Sequence, residues 1–265
     1  MKNLSKIDVE QIGKSGATKN NIAKILNSFY LYCDQTEQSV GQWLSSHGYW
    51  ESWITSWMTH NINPGDVCID VGANYGYYTR IMEYLSGNTG TVYSIEANKD
   101  LCNLIDKSIK DYPIENAAKV NILNTAVSDK EEEVTLHIPP KFLGGSSIVF
   151  KSEKLPSNIP TEEWYVEKTV MSNKLDNLIF EPHINLIKMD IEGAEYLAWN
   201  GMKNILDKTD LLIVELGSYS PVLFIDQIYD KYNVTFVDID GEEKSLLRHE
   251  LNNLKDLVMA VLRKK

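Results

Sequence analysis

The stretch Val67 to Arg80, VCIDVGANYGYYTR, constrains this chain more than any other. A continuous apolar run ends near Asp70, two glycines stand four apart at Gly72 and Gly76, and a helix-like segment follows at once. Unbroken apolar strands are those covered on both faces. Glycine between a strand and a helix lets the backbone turn sharply and approach a neighbour with no Cβ in the way. One helix later a second run, Thr91 to Ile95, also ends on an acid, Glu96. The spacing predicts a βαβ unit and, with it, a parallel sheet.

The alternation extends beyond this unit. Further strands are predicted at Val120 to Val127, Ile184 to Met189, Leu211 to Leu216, Asn233 to Val237 and Leu257 to Leu262, with helices near Leu101 to Ile109 and Ala194 to Leu206. Together they predict an α/β fold: a doubly wound, seven-stranded, mostly parallel Rossmann-like sheet whose last two strands pair antiparallel at one edge. Residues 1–62 read as a helical extension, with apolar residues at helical spacing over Ile22 to Tyr32 and again from Tyr49 through Trp50, Trp53 and Trp57 to Met58. Asn63-Pro64-Gly65 then turns the chain into a main domain over 63–265. Within it, residues 133–170 interrupt the pattern and read as a β-rich insertion with a Gly144-Gly145-Ser146-Ser147 turn. The tryptophan stripe is expected to be core, with a stacking surface for a sugar as the sharper alternative.

Composition narrows the partners. The formal net charge is −11, from 37 acids against 26 bases, which argues against broad nucleic-acid or anionic-membrane binding. Cys33, Cys68 and Cys102 form no CxxC pair and no zinc pattern, as expected of a protein from a reducing compartment. No window has the length and apolarity of a signal peptide or a membrane span, so a cytoplasmic protein is expected.

The glycine loop and its two acids point to a ligand. A dinucleotide site calls for G-x-G-x-x-G, so that the pyrophosphate rests on a helix end. Here Gly72-Ala73-Asn74-Tyr75-Gly76 supplies only two glycines, followed by Tyr77 and Tyr78. Asp70 at the mouth of such a pocket would repel a pyrophosphate and attract a cation. Glu96 can accept two hydrogen bonds from a ribose diol. An acid by the glycines and an acid for a ribose match S-adenosylmethionine better than NAD. The expected cofactor set is Asp70, Gly72, Asn74, Gly76 and Glu96. A nucleotide-linked oxidoreductase and a non-catalytic module that kept the pocket are the alternatives.

The segments DVGANYGYYTR, NTAVSDKEEEVTLH, GGSS and NLIKMDIEGAEYLAWNGM, in this order, resemble the FkbM family of S-adenosylmethionine-dependent methyltransferases over about 150 residues, from Gly65 to Leu216. The chain departs from the family pattern at Ile95-Glu96-Ala97-Asn98, where a proline commonly follows the acid. The resemblance implies a class I methyltransferase that methylates a hydroxyl of a sugar, glycan or small natural product. It also implies that Thr125 and Ala126 border the adenine.

Methyl transfer to an alcohol needs alignment, exclusion of water and a proton acceptor. Lys188 and Asp190 alternate on one face of the strand that ends at Met189, and Glu192 lies on the turn beyond. Asp190 is expected nearest the methyl centre, Glu192 as base or acceptor-orienting group, and Lys188 as ion-pair partner of Asp190. Glu195 is expected to serve the N-terminal end of the next helix. No resident metal is expected. Of the five histidines, His60 and His137 are the two worth testing as a base. Oligomeric state is not legible here.

Overall fold

The computed structural model describes residues 1–14, 21–149, 164–217, 220–251 and 257–265. The chain begins with α1 (Lys6–Gly13), β1 (Ile22–Ile25), β2 (Phe29–Tyr32), α2 (Val40–His47) and α3 (Ser52–Asn61). The helix expected over Ile22 to Tyr32 is therefore corrected to an antiparallel hairpin, with Ile22 opposite Tyr32 and Ile25 opposite Phe29. Its apolar residues fit a helical period, but burial alternates along both strands, and Leu26 and Asn27 take φ of 47° and 50° to close the turn. The N-terminal layer is thus mixed rather than helical.

The main sheet follows. Its parallel strands are β3 (Val67–Val71), β4 (Thr91–Glu96) and β5 (Lys119–Asn124), with α4 (Tyr77–Ser86) and α5 (Lys99–Asp111) between them. Thr125 ends the third strand earlier than expected, and β6 (Ala126–Val127) leaves for a separate small sheet. There β7 (Glu132–Ile138) pairs antiparallel with β8 (Val166–Asn173), and β6 lies parallel beside β8. This small sheet is the β-rich insertion; its residues 150–163 lie outside the described residues. The chain returns through α6 (Leu175–Leu178) to β9 (Ile184–Met189), α7 (Glu195–Asn200), α8 (Lys203–Asp207) and β10 (Thr209–Leu216). The single helix expected over Ala194 to Leu206 is two, broken at Gly201, where a Cβ would lie 2.0 Å from the carbonyl oxygen of Ser128. After α9 (Val222–Lys231) come β11 (Tyr232–Val237), β12 (Glu243–Ser245), α10 (Arg248–Leu251) and β13 (Val258–Lys264).

The sheet has eight strands rather than seven, in the order β12-β11-β13-β10-β9-β3-β4-β5, because the short β12 adds to the far edge. β13 runs antiparallel to both β10 and β11, as the late strands led one to expect. From β3 the chain winds outward through β4 and β5, then returns to place β9 on the other side of β3. The strand order therefore reverses between β3 and β9, where open α/β sheets bind ligands beyond their carboxyl ends.

Alternation along these strands builds two cores. Cys68, Leu186, Ile213 and Val261 face α4 and the N-terminal layer, packing with Ile54, Met58, Tyr77, Tyr78 and Ile81. Ile69, Val71, Ile187, Met189, Val214 and Leu262 face the other way, against α7, α8 and α9. The parity matters for the site: Asp70 and Lys188, two residues on from Cys68 and Leu186, share the face covered by α4 and the N-terminal layer. Among the described residues, no helix is long and apolar enough to cross a membrane.

Candidate active site

The site grows from the β3–β9 pair. Asp70 lies opposite Lys188 and Val71 opposite Met189, so the two chains leave the sheet side by side at Gly72 and Asp190. Gly72 takes φ +82°, and a Cβ there would stand 2.0 Å from the Asp190 carbonyl oxygen. Glycine is required at this position by backbone conformation and by close approach together. Asn74 also takes a left-handed φ, 53°, and its Oδ1 is buried without a hydrogen-bond partner. Such an orphaned acceptor is costly unless a ligand meets it.

Two cavities meet at this turn. The first runs over the ends of β3, β4 and β5 and is lined by Gly72, Asn74, Glu96, Thr125 and Ala126, with Leu136, Leu143, Ser146 and Ser147 from the insertion along one side. The second lies toward the N-terminal layer and is lined by Trp50, Glu51, Tyr75, Tyr77, Tyr78, Lys188 and Glu215. Gly72, Asn74, Gly144, Asp190 and Glu192 line both.

Glu96 ends β4 with both carboxylate oxygens engaged: Oε2 accepts from Asn74 N and Oε1 from Asn98 N, each at 2.8 Å. Each oxygen keeps a second lone pair for a hydroxyl donor. Burial pushes this carboxyl up to about 7, against the pull of those two backbone donors. Thr125 Oγ1 donates to Met171 O at 2.8 Å, which ties this side of the cavity to the insertion.

Lys188 Nζ lies 3.2 Å from Asp190 Oδ2 and 4.9 Å from the centroid of the Tyr78 ring. Burial disfavours its charge, but Asp190, Asp70 and Glu51 together hold the ammonium above its ordinary range. Glu51 was not singled out in the sequence. It stands just before α3 at φ 35°, accepts from Tyr78 Oη at 2.6 Å, and is pushed up by burial and by Asp190. A glutamate between two tryptophans in a helical stripe gives no signal of its own; only the packing of α3 against α4 brings it to β9.

Two expected residues stand elsewhere. Asp70 is not at the mouth: it is fully buried, lines neither cavity and accepts from Thr79 Oγ1 at 2.7 Å. It is still within the strand, one residue short of its end, and so faces α4 rather than the crevice. Gly76 lines neither cavity either; it starts α4 at φ +84°, against Ile105. Glu195 Oε1 accepts from Ile191 N and Gly193 N, clamping the turn before α7. His60 accepts no place in either cavity: its Nδ1 is 2.9 Å from Ser56 O, while His137 stands 3.3 Å from Glu167. Of the tryptophans, Trp57 is core and Trp50 reaches the second cavity.

The family model described as the methyltransferase FkbM domain matches residues 70–236, more than half of the chain. The chain belongs to the FkbM methyltransferase family. It is an S-adenosylmethionine-dependent methyltransferase with a Rossmann-like α/β fold. Among solved structures, a Streptococcus mutans protein in complex with S-adenosylhomocysteine is 9% identical, with a TM-score of 0.44 over 81% of this chain and 95% of that one. A TehB-like S-adenosylmethionine-dependent methyltransferase from Corynebacterium glutamicum is 13% identical, at 0.41 over 80% and 88%. A dimethyladenosine transferase from Plasmodium falciparum is 12% identical, at 0.42 over 80% and 61%. These likenesses are weak, and the family match carries the assignment. The first cavity fits the cofactor on its own chemistry: Glu96 offers lone pairs for a diol, and the orphaned Asn74 Oδ1 offers an acceptor to a donor group.

Proposed function

We propose that this FkbM methyltransferase methylates a hydroxyl of a sugar, glycan or small natural product, with the cofactor in the first cavity and the acceptor in the second. The observation that carries this reading is the wall the two cavities share, Gly72, Asn74, Gly144, Asp190 and Glu192, across which a methyl group would pass. Aromatic faces from Trp50, Tyr75, Tyr77 and Tyr78 suit a sugar ring, and carboxylates from Glu51, Asp190, Glu192 and Glu215 suit its hydroxyl donors. Phosphate-rich acceptors are disfavoured, because Lys188, the one ammonium among the described residues that line this cavity, is already engaged by acids.

In the cofactor pocket, Gly72 and Asn74 form the turn, Glu96 takes the ribose, and Thr125 and Ala126 border the adenine. Asp70 and Gly76 act from behind, through Thr79 and the start of α4. At the methyl centre Asp190 is the nearest acid, Lys188 fixes it, and Glu192 orients the acceptor. Residues 1–62 and the 133–170 insertion set acceptor choice, since both border the cavities. The three cysteines are buried and unpaired, in keeping with a cytoplasmic site of action.

The test is transfer of a labelled methyl group to a panel of sugars, glycosides and small natural products, with products identified by mass spectrometry. A methyl ether on an alcohol supports the proposal. Methylation confined to amines, carboxylates or nucleic acid would sink it.

A further inference from the structure

Resting on the O-methyl transfer just proposed, we infer that Glu51, supplied by the N-terminal layer, is the catalytic base that takes the proton from the acceptor hydroxyl. Three observations converge on it. The first is position. Glu192 lines both cavities and so stands at their boundary, whereas Glu51 lines the acceptor cavity and not the cofactor cavity. In an in-line displacement the acceptor oxygen faces the methyl carbon, and its proton points away from the cofactor side. The base must therefore lie within the acceptor cavity, where Glu51 and Glu215 are; Glu51 is the one of the two beside Tyr78 and Lys188.

The second is backbone conformation. Glutamate has no preference for the left-handed region, yet Glu51 and Glu192 hold φ of 35° and 57° there. With Asn74 at 53°, three left-handed non-glycine residues line one cavity. Such conformations persist where packing enforces them, and they gather at working sites. Glu51 lies at the start of α3, whose Ile54, Trp57 and Met58 are buried in the core shared with α4, so the backbone that carries it is fixed in place.

The third is chemical surroundings. The groups facing Glu51 are Tyr78 from α4, Lys188 and Asp190 from β9 and its end, and Trp50 beside it; Glu192 and Glu215 line the same cavity. Tyr78 Oη donates to Oε2 at 2.6 Å, which steadies one oxygen of the carboxylate. Burial and Asp190 raise the carboxyl above its ordinary range, which makes it a stronger proton acceptor than an exposed glutamate. The step balances: the acceptor oxygen bonds to the methyl carbon as the carbon–sulfur bond breaks, the electron pair stays on sulfur, and the hydroxyl proton passes to Glu51.

The experiment compares wild type, Glu51→Gln and Glu51→Asp in methyl transfer to the sugar and alcohol panel, with S-adenosylhomocysteine affinity measured for each. The expected result is a kcat lowered about 10²- to 10⁴-fold in Glu51→Gln, with cofactor affinity unchanged, the acidic limb of the pH–rate profile lost and activity partly recovered in Glu51→Asp. A Glu51→Gln enzyme that keeps kcat within about threefold overturns the assignment, as general-base catalysis contributes far more than that. A wild type that methylates no alcohol overturns the acceptor reading instead, and Glu51 is then judged without an acceptor. In protein with carbon-13 carboxylates and bound S-adenosylhomocysteine, the resonance lost in Glu51→Gln should titrate above the ordinary glutamate value of about 4.3. Titration at or below that value overturns the base assignment.

Discussion

Gly72→Ala tests how the loop is held against the end of β9. The new Cβ would lie 2.0 Å from the Asp190 carbonyl oxygen and 3.0 Å from Ile191 Cγ2, with the backbone at φ +82°. Two separable penalties follow. A left-handed φ costs a non-glycine residue about 1–2 kcal/mol. The overlap is with backbone, not with the end of a flexible side chain, and relieving it takes a shift of roughly 1 Å that strains the Asp190 N to Val71 O hydrogen bond of 3.1 Å. Overpacking of this kind costs about 1–3 kcal/mol, and a strained hydrogen bond about 1 more. The sum is roughly 3–6 kcal/mol, a fall in Tm of about 6–24 °C for a chain of this size. Gly65→Ala is the control, because it has φ +94° and no atom nearer than Thr89 Oγ1 at 3.6 Å. It should lose the conformational part alone, about 1–2 kcal/mol, and bind S-adenosylhomocysteine as wild type does. Denaturant unfolding and calorimetric titration read both variants. If Gly72→Ala loses no more stability than Gly65→Ala and binds equally well, the close approach of β3 and β9 is not what fixes this loop.

Two further predictions concern charge. The proposed ribose contact needs the ionised form of Glu96, so S-adenosylhomocysteine affinity should rise with pH and level off above about 7, where burial places this carboxyl; calorimetry across pH should show the rise in wild type and none in Glu96→Gln. The folded pKa is raised, so between the ordinary glutamate value of about 4.3 and about 7 the folded state holds the extra proton. Stability therefore falls as pH climbs through that window, and Glu83, raised to about 7 by burial against the pull of Arg80, adds to the same fall. Lys188→Met should remove the cation that Asp70, Asp190 and Glu51 share, lowering stability by roughly 3–5 kcal/mol and Tm correspondingly, with the loss easing at acid pH as Asp70 and Glu51, whose carboxyls burial raises, protonate.

Much of this was legible in the sequence, and the rest was hidden for identifiable reasons. Continuous apolar runs marked β3, β4, β9 and β10, because strands covered on both faces admit little else. That the glycine loop and the acids Glu96, Asp190 and Glu192 would lie together at the strand ends was readable, because strand ends beside tight turns leave few choices of residue. The hairpin β1–β2 was not, since its apolar residues satisfy both periods and the turn uses Leu26 and Asn27 rather than glycine. Asp70 was misplaced by a single residue of strand length, enough to turn its carboxylate under α4. Glu51 was invisible because its importance comes from packing across nearly 140 residues of chain, to Lys188 and Asp190.

The most direct test of the account is parallel calorimetric titration of wild type and Glu96→Ala with S-adenosylhomocysteine and with NAD⁺. Binding of S-adenosylhomocysteine and not NAD⁺ by wild type is predicted, with affinity lowered about 10- to 100-fold in Glu96→Ala as roughly 1.5–3 kcal/mol of charge-assisted hydrogen bonding is lost. Binding of NAD⁺ instead, or equal affinity of both proteins for S-adenosylhomocysteine, would contradict it.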